Sequence, residues 1–504
     1  MKRDGSLHSR WVIIAVSAVL LLGFGILLGR TVLTPKDAVV SVRANPPSRE
    51  TYLVRNEPFG AIESNAPIAA GAYPSFREVV SEILPTVVEI DVVKIVKQPE
   101  TGSPFEFFFR PRSNRGTERE QFEQQGLGSG VIVQRTGNRT YVLTNNHVVG
   151  DADEIKVTLY DGRGFSATLV GGDPKKDLAL VVFETSEDVP LARLGDSSDL
   201  YPGDWVLAVG NPLGFKSTVT AGIVSAVERD SMAGSSIAGF TDYIQTDAAI
   251  NRGNSGGALV NTRGEVVGIN TWIASSSGGS IGIGFAIPIN NAKRAIQDFI
   301  TKGRVEYGWL GVSIGDLAPE LSKDLNLETA SGAVVYGVFK GSPGDRGGLR
   351  PGDYVTSVDN DRIRSSNQLL RKVGELSPGE VAQLTVQRGK DTISLTVTLK
   401  GRGSEQDIAA LSKKVWPGFT VIPVTEELQK ELKLRGGHVI IRSVDPDSSA
   451  DVAGLKAGDV IQSINGKPLG SVRDFYKRVN DRDSRELNLA IDRQGSSFSV
   501  GLNS

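Results

Sequence analysis

The sequence predicts a mainly β protein of several domains: a large β-rich domain followed by two copies of a smaller β module, behind an apolar N-terminal helix. Three observations carry this. Short runs of Val, Ile, Leu and Thr, broken by Gly, Asn and Asp, recur through residues 126–289, the pattern of many short strands joined by turns. The stretch Gly348-Leu349-Arg350-Pro351-Gly352-Asp353 returns 106 residues later as Gly454-Leu455-Lys456-Ala457-Gly458-Asp459, which marks a duplicated module. The chain's 504 residues also exceed the roughly 250–300 at which one hydrophobic core stops growing.

The N-terminus comes first in order. Lys2, Arg3 and Arg10 precede an uncharged apolar run over 11–29 that closes at Arg30. Nineteen helical residues span roughly 28 Å, close to a bilayer core. A cleaved signal peptide is the rival, but its apolar region is about 7–15 residues and is followed by a small-residue cleavage site. Gly29-Arg30-Thr31 supplies none. The expectation is an uncleaved transmembrane signal anchor, basic end inside and everything beyond Arg30 exported to the extracytoplasmic side.

Residues 34–75 are polar and punctuated by Pro35, Pro46, Pro47 and Pro67, and read as a flexible linker. Organised sequence starts near Phe76, with a helix-like segment over 76–83 and a β-rich run over 86–96. Residues 98–125 carry Pro99, Pro104, the cluster Phe105, Phe107, Phe108 and Phe109, and then mixed charges. They read as a long loop whose aromatics form either a satellite core or an interaction patch. The β-rich region closes with a helix-like segment over 290–302. In each copy of the repeat a Gly can end a helix in the left-handed conformation, the second Gly-Asp turns the chain, and an alternating strand resumes.

Composition excludes several functions. Lys plus Arg number 56 against 58 Asp plus Glu, so bulk charge offers nothing to a nucleic acid. There is no cysteine, and the three His, His8, His147 and His438, are far apart; neither a thiolate nor a clustered metal site is expected. No motif implies a cofactor, because Gly126-Leu127-Gly128-Ser129-Gly130 reads as a turn leading into a barrel rather than a phosphate loop.

Three residues could perform chemistry together. His147, in Thr144-Asn145-Asn146-His147-Val148, follows an apolar strand and is the one His of the β-rich region. Ser255 sits in Asn251-Arg252-Gly253-Asn254-Ser255-Gly256-Gly257, where glycines permit a turn that exposes a nucleophile. The backbone N–H groups of Gly253 and Ser255 can converge there on an oxyanion. Asp177 opens the apolar strand Asp177-Leu178-Ala179-Leu180 and could orient the imidazole; Asp173, before Pro174, reads as turn chemistry. Gly253, Ser255 and Gly257 also fit G-x-S-x-G, but an α/β-hydrolase needs its His after the Ser and acid. Here the order is His, Asp, Ser.

That order and those motifs, with Gly282-Ile283-Gly284-Phe285-Ala286-Ile287-Pro288 and the two repeats, resemble the HtrA (Deg) family of trypsin-fold serine proteases from about residue 76 to the C-terminus. The resemblance implies a chymotrypsin-like double β-barrel over 76–302, with 98–125 as its regulatory loop, then PDZ domains at 304–402 and 412–503. It implies His147 as general base, Asp177 as orienting acid and Ser255 as nucleophile. The oxyanion hole falls to Gly253, Asn254 and Ser255. The stretch 270–277 borders the substrate strand, so Thr271, Trp272, Ile273, Ala274 and Ser275 join Ile250 as expected substrate contacts. Proteases that choose basic residues carry an Asp six positions before the nucleophile; here that position is Ala249, so cleavage after Val, Ala or Ile is expected.

PDZ modules add a peptide as an extra strand and hold its terminal carboxylate in a nest of backbone N–H groups. Gly308-Trp309-Leu310-Gly311-Val312 resembles that carboxylate-binding loop, and Gly418-Phe419 is its counterpart in the second module, unless the latter is a plain turn and the module serves assembly. The implied partners are unfolded or misfolded substrate proteins, peptide C-termini, and further copies of the chain in a trimer or larger oligomer. A serine endopeptidase clearing damaged exported proteins is the reading; a chaperone-like holdase and a PDZ scaffold are the alternatives.

Overall fold

The computed structural model describes residues 75–96, 122–211, 217–230, 240–275, 279–325, 327, 331–424, 429–430, 439–481 and 486–503. The expected anchor at 11–29, the linker up to residue 74 and the aromatics of 105–109 lie outside the described residues. Among the described residues no helix is long and apolar enough to cross a membrane.

Helix α1 (Arg77–Ile83) leads into β1 (Val87–Val96), β2 (Phe122–Thr136), β3 (Arg139–Thr144), the single turn α2 (Asn146–Val149), β4 (Glu154–Thr158), β5 (Gly164–Asp173) and β6 (Leu178–Glu184). These six strands close into an antiparallel barrel in the order β1-β2-β3-β6-β5-β4, with β4 pairing back onto β1. The next six, β7 (Trp205–Gly210), β8 (Thr218–Arg229), β9 (Tyr243–Thr246), β10 (Ala258–Asn261), β11 (Val266–Ile273) and β12 (Gly284–Pro288), close into a second barrel, where β10 pairs with β7. Strand periodicity divides the apolar residues between two jobs. Val88, Ile90 and Val92 of β1 fill the first barrel with Val142 and Val181, while Val87, one residue earlier and so on the opposite face, joins Leu143, Leu180, Val209 and Ile269 in a separate core. Helix α3 (Ile289–Lys302) adds Ile296 and Phe299 to that core and ends at Gly303, whose φ of 72° is the left-handed cap.

Two expectations need correction here. Residues 122–125 are strand rather than loop, because β2 extends its ladder on β1 out to Val96↔Phe122. The glycine run 126–130 is likewise the middle of β2, not a turn. Its glycines answer to packing: a Cβ on Gly130 would lie 2.4 Å from Val142 Cγ1, and one on Gly128 2.6 Å from Val148 Cγ1.

The first small module comprises β13 (Gly308–Trp309), β14 (Val312–Asp316), α4 (Pro319–Leu325), β15 (Ala333–Phe339), α5 (Pro343–Arg346), β16 (Tyr354–Val358), β17 (Asp361–Arg362), α6 (Ser366–Glu375), β18 (Val381–Arg388), β19 (Asp391–Thr398) and β20 (Lys400–Gly401). Helix α7 (Glu405–Ala410) then leads to the second module, made of β21 (Val415–Trp416), β22 (Phe419–Pro423), β23 (Val439–Val444), α8 (Ser449–Val452), β24 (Val460–Ile464), β25 (Lys467–Pro468), α9 (Val472–Val479), β26 (Glu486–Arg493) and β27 (Ser496–Asn503). Sheet order is the same in both: β14-β15-β16-β18-β19 and β22-β23-β24-β26-β27. The sequence repeat has one physical content in the two copies. Asp353 accepts the Arg350 N–H at 2.8 Å and pairs with Arg388 at 2.6 Å; Asp459 accepts the Lys456 N–H at 2.8 Å and pairs with Arg493 at 2.6 Å. Gly348, Gly352, Gly454 and Gly458 all have φ between 80° and 93°.

Candidate active site

His147, Asp177 and Ser255 come from three different connections. His147 lies in α2, directly after β3; Asp177 ends the turn between β5 and β6; Ser255 precedes β10. Asp177 has φ 54°, a conformation that Asp tolerates better than most residues. The turn before it is held by Asp173, which accepts the Lys175 N–H at 3.0 Å and the Tyr307 hydroxyl proton. Burial pushes the Asp173 carboxyl above its ordinary range, against the hydrogen bond from Tyr307.

The carboxylate of Asp177 is saturated with donors. One oxygen accepts the His147 backbone N–H at 2.9 Å; the other faces His147 Nδ1 at 2.8 Å and accepts Thr271 Oγ1 at 2.7 Å. Because a carboxylate only accepts, Nδ1 carries the ring proton. The Asn145 side chain donates to the Asp177 carbonyl at 2.9 Å. Both ring and carboxylate are shielded, with side-chain exposures of 4% and 6%.

Thr271 joins the acid to the serine. Its hydroxyl binds Asp177, and its carbonyl oxygen accepts Ser255 Oγ at 2.9 Å. The three sequence-predicted residues are therefore linked through one strand residue of β11. Thr271 was expected along the substrate strand; it is 1% exposed, and its side chain turns to the acid. Trp272 stacks on Phe285 with ring centroids 4.0 Å apart and meets Tyr243 edge-on, while Ile273 and Ala274 are partly buried. Ser275 borders residues 276–278, outside the described set. Ile250 is buried beside Gly284, where a Cβ would come within 2.9 Å of Ile250 Cδ1.

The serine turn is shaped from behind by a residue that motif reading missed, Ser129 of β2. Its N–H donates to the Ser255 carbonyl at 2.8 Å, its hydroxyl donates to the Gly253 carbonyl at 2.5 Å, and the same hydroxyl accepts the Asn211 N–H at 2.8 Å. The signal available was its place in Gly-Leu-Gly-Ser-Gly, a run of small residues that lets neighbouring elements, the Ser255 backbone among them, come close. Gly253 has φ 91° and Gly256 has φ 82°, which glycine adopts without penalty. A Cβ on Gly256 would sit 2.1 Å from the Ser129 carbonyl oxygen, and one on Gly257 2.2 Å from that of Val209. Asn254, between Gly253 and the serine, is buried and packs where Gly210 leaves room.

The loops of the two small modules match in detail. Gly311 has φ 74° and its carbonyl accepts Ser342 Oγ at 3.1 Å; Gly418 has φ 83° and its carbonyl accepts Ser448 Oγ at 3.1 Å. In the first loop Gly308 and Leu310 are buried, Trp309 and Val312 partly so, and Trp309 packs edge-on against Phe339. Phe419 differs, being fully inside a core. Among the described residues no group of His, Asp and Glu could hold a metal ion.

Comparison with known proteins agrees with this layout. A trypsin-like peptidase domain model matches residues 128–269, and two PDZ domain models match 308–399 and 440–493. A protein of Ectopseudomonas mendocina named probable periplasmic serine endoprotease DegP-like is 40% identical over 454 residues, covering 85% of this chain and 93% of the relative. One of the same name from Chlamydia trachomatis is 39% identical over 389 residues, 77% and 76% of the two chains. Among solved structures, the HtrA-type protease AlgW with a decapeptide is 40% identical, covers 66% of this chain and 99% of its own, and superposes with a TM-score of 0.53.

Proposed function

Because the chain belongs to the HtrA, DegP-like family of serine endoproteases, we propose that it cuts misfolded or damaged exported proteins with Ser255 as nucleophile, His147 as general base and Asp177 as the acid that orients it. The observation that carries this is the hydrogen-bonded series from His147 through Asp177 and Thr271 to Ser255.

Each residue has one task. With Nδ1–H held by Asp177, the other ring nitrogen, Nε2, keeps its lone pair for the serine proton. Ser255 Oγ leaves the Thr271 carbonyl, attacks the scissile carbonyl carbon and gives its proton to His147; the bond to the leaving amine breaks as His147 returns that proton. Water then repeats the sequence on the acyl-enzyme. The oxygen that gains charge is met by the N–H groups of Gly253 and Ser255, at a turn that Asn254 and Ser129 brace. Asp177 stabilises the imidazolium without taking its proton.

The wall formed by Ile250 and Gly284 carries no charge, and Ala249 stands where an Asp would select Lys or Arg. Cleavage after Val, Ala or Ile follows, and a peptide library showing basic preference would overturn that part. The first PDZ module, through 308–312, takes hydrophobic peptide ends. Location outside the cytoplasm follows the relatives' periplasmic names, and the apolar run 11–29 serves as the membrane anchor. Assembly into trimers or larger homo-oligomers completes the reading.

Wild type and Ser255→Ala should be compared for casein degradation and for suppression of aggregation of an unfolded client. Loss of cleavage in the variant is the expected result. Retained cleavage overturns the nucleophile assignment, and retained suppression assigns a holdase role beside it.

A further inference from the structure

We propose that the second PDZ module is a docking site for the first module's own helix α4, not a receptor for free peptide ends, so that each chain offers one peptide site. A PDZ module seats its peptide beside the strand that follows the glycine loop and under the helix that crosses it. In the first module these are β14 and α6; in the second they are β22 and α9.

In the second module that trough is filled. Leu321 and Leu325, four residues apart and so on one face of α4, are buried in a single apolar cluster with Phe419 and Val421 of β22 and Phe475 and Tyr476 of α9. Helix α4 touches both β22 and α9. A polar contact fixes the register: the Asp324 carboxylate accepts the backbone N–H of Val472, the first residue of α9, a donor that the helix itself cannot satisfy.

The surrounding seam agrees. Strand β21 pairs with β15 of the first module, and the Trp416 indole donates to the Val479 carbonyl at 3.2 Å. Asn480 donates to the Pro351 carbonyl at 2.7 Å, and a Cβ on Gly352 would come within 2.6 Å of the Tyr476 ring. The first module is arranged differently. The apolar residues of its β14 and α6, among them Val312, Ile314, Leu369 and Val373, cluster with residues of the first module alone.

A peptide can pair with β22 only after α4 leaves, so its apparent affinity falls by the fraction of time the trough is open. The occupant the trough fits is an amphipathic helix with leucines at i and i+4 and an acid between them, rather than an extended chain with a free carboxylate.

Peptide binding to the full chain carrying Ser255→Ala tests this independently of catalysis. A fluorescein-labelled decapeptide ending in an apolar residue such as Val with a free carboxylate should saturate at one per chain. With Leu321→Asp and Leu325→Asp added, a second site should appear, its affinity raised on the order of tenfold or more. Two equivalent sites in the parent chain would overturn the proposal. A second measurement does not depend on the variant's folding. The chain has no cysteine, so Asp324→Cys with Ser471→Cys gives one engineered pair. Oxidation should link the two within one chain, which runs as a single chain on a non-reducing denaturing gel and still binds one peptide; a disulfide-linked dimer, or no disulfide, contradicts docking within one chain.

Discussion

Ser129→Ala isolates the bracing of the serine turn from the reacting groups. The substitution removes one hydroxyl that donates to Gly253 O at 2.5 Å and accepts from Asn211 N at 2.8 Å, in a residue with no exposure. Each buried backbone group left without its partner costs about 1–3 kcal/mol, so destabilisation of about 2–6 kcal/mol is expected. The catalytic effect is separable. If the Gly253 carbonyl turns toward another donor, the peptide plane that it shares with the Asn254 N–H rotates between the two oxyanion donors, the Gly253 and Ser255 N–H groups, and losing one such donor costs about 10²–10³ in rate. The assay pairs thermal unfolding with kcat and KM on a chromogenic peptide ending in Val, measured well below the variant's Tm. A fall mainly in kcat is expected, since the donor acts on charge that appears only in the transition state. A folded Ser129→Ala protein with kcat within twofold of wild type refutes this account of the turn.

Thr271→Val keeps the β-branch and deletes the hydroxyl on Asp177; loss of a hydrogen bond to a charged group, about 1.5–3 kcal/mol, should lower kcat by roughly 10- to 100-fold, and unchanged kcat counts against Thr271 as a positioning residue. Gly256→Ala should abolish activity and lower Tm, because a Cβ would meet the Ser129 carbonyl at 2.1 Å at a positive φ; a soluble, active variant contradicts the packing described. Lys176, buried next to Asp177, has its pKa lowered from 10.5 by burial. The unfolded chain holds that proton more tightly, so stability should rise as pH climbs from the lowered folded value toward 10.5. Lys176→Met should raise Tm at neutral pH, with the gap to wild type closing as pH approaches 10.5; parallel Tm curves for the two proteins argue against it.

Much of the site was legible because its residues announce themselves by type. A lone His after an apolar strand, a serine among glycines and an Asp at a strand mouth need no tertiary knowledge to be chosen. Thr271 and Ser129 were hidden for the opposite reason. A Thr in a strand and a Ser between glycines are ordinary residues, and only the approach of β11 to the β5–β6 turn, and of β2 to the serine turn, gives their hydroxyls a task. The glycine run 126–130 was misread because local propensity treats Gly as turn-forming, whereas neighbouring side chains in the barrel demand its missing Cβ. The duplicated modules were clear from the Gly-Leu and Gly-Asp repeat, but their inequality was not. Leu321 and Leu325 fit any amphipathic helix, and nothing local says that their apolar face belongs to the neighbouring module's core.

The proposed cleavage rests most directly on the reactivity of one hydroxyl. Wild-type protein treated with a serine-directed phosphonate and digested for mass spectrometry should carry a single adduct on Ser255, lost when His147 is replaced by Ala. An adduct on another serine, or equal labelling without His147, contradicts the central claim.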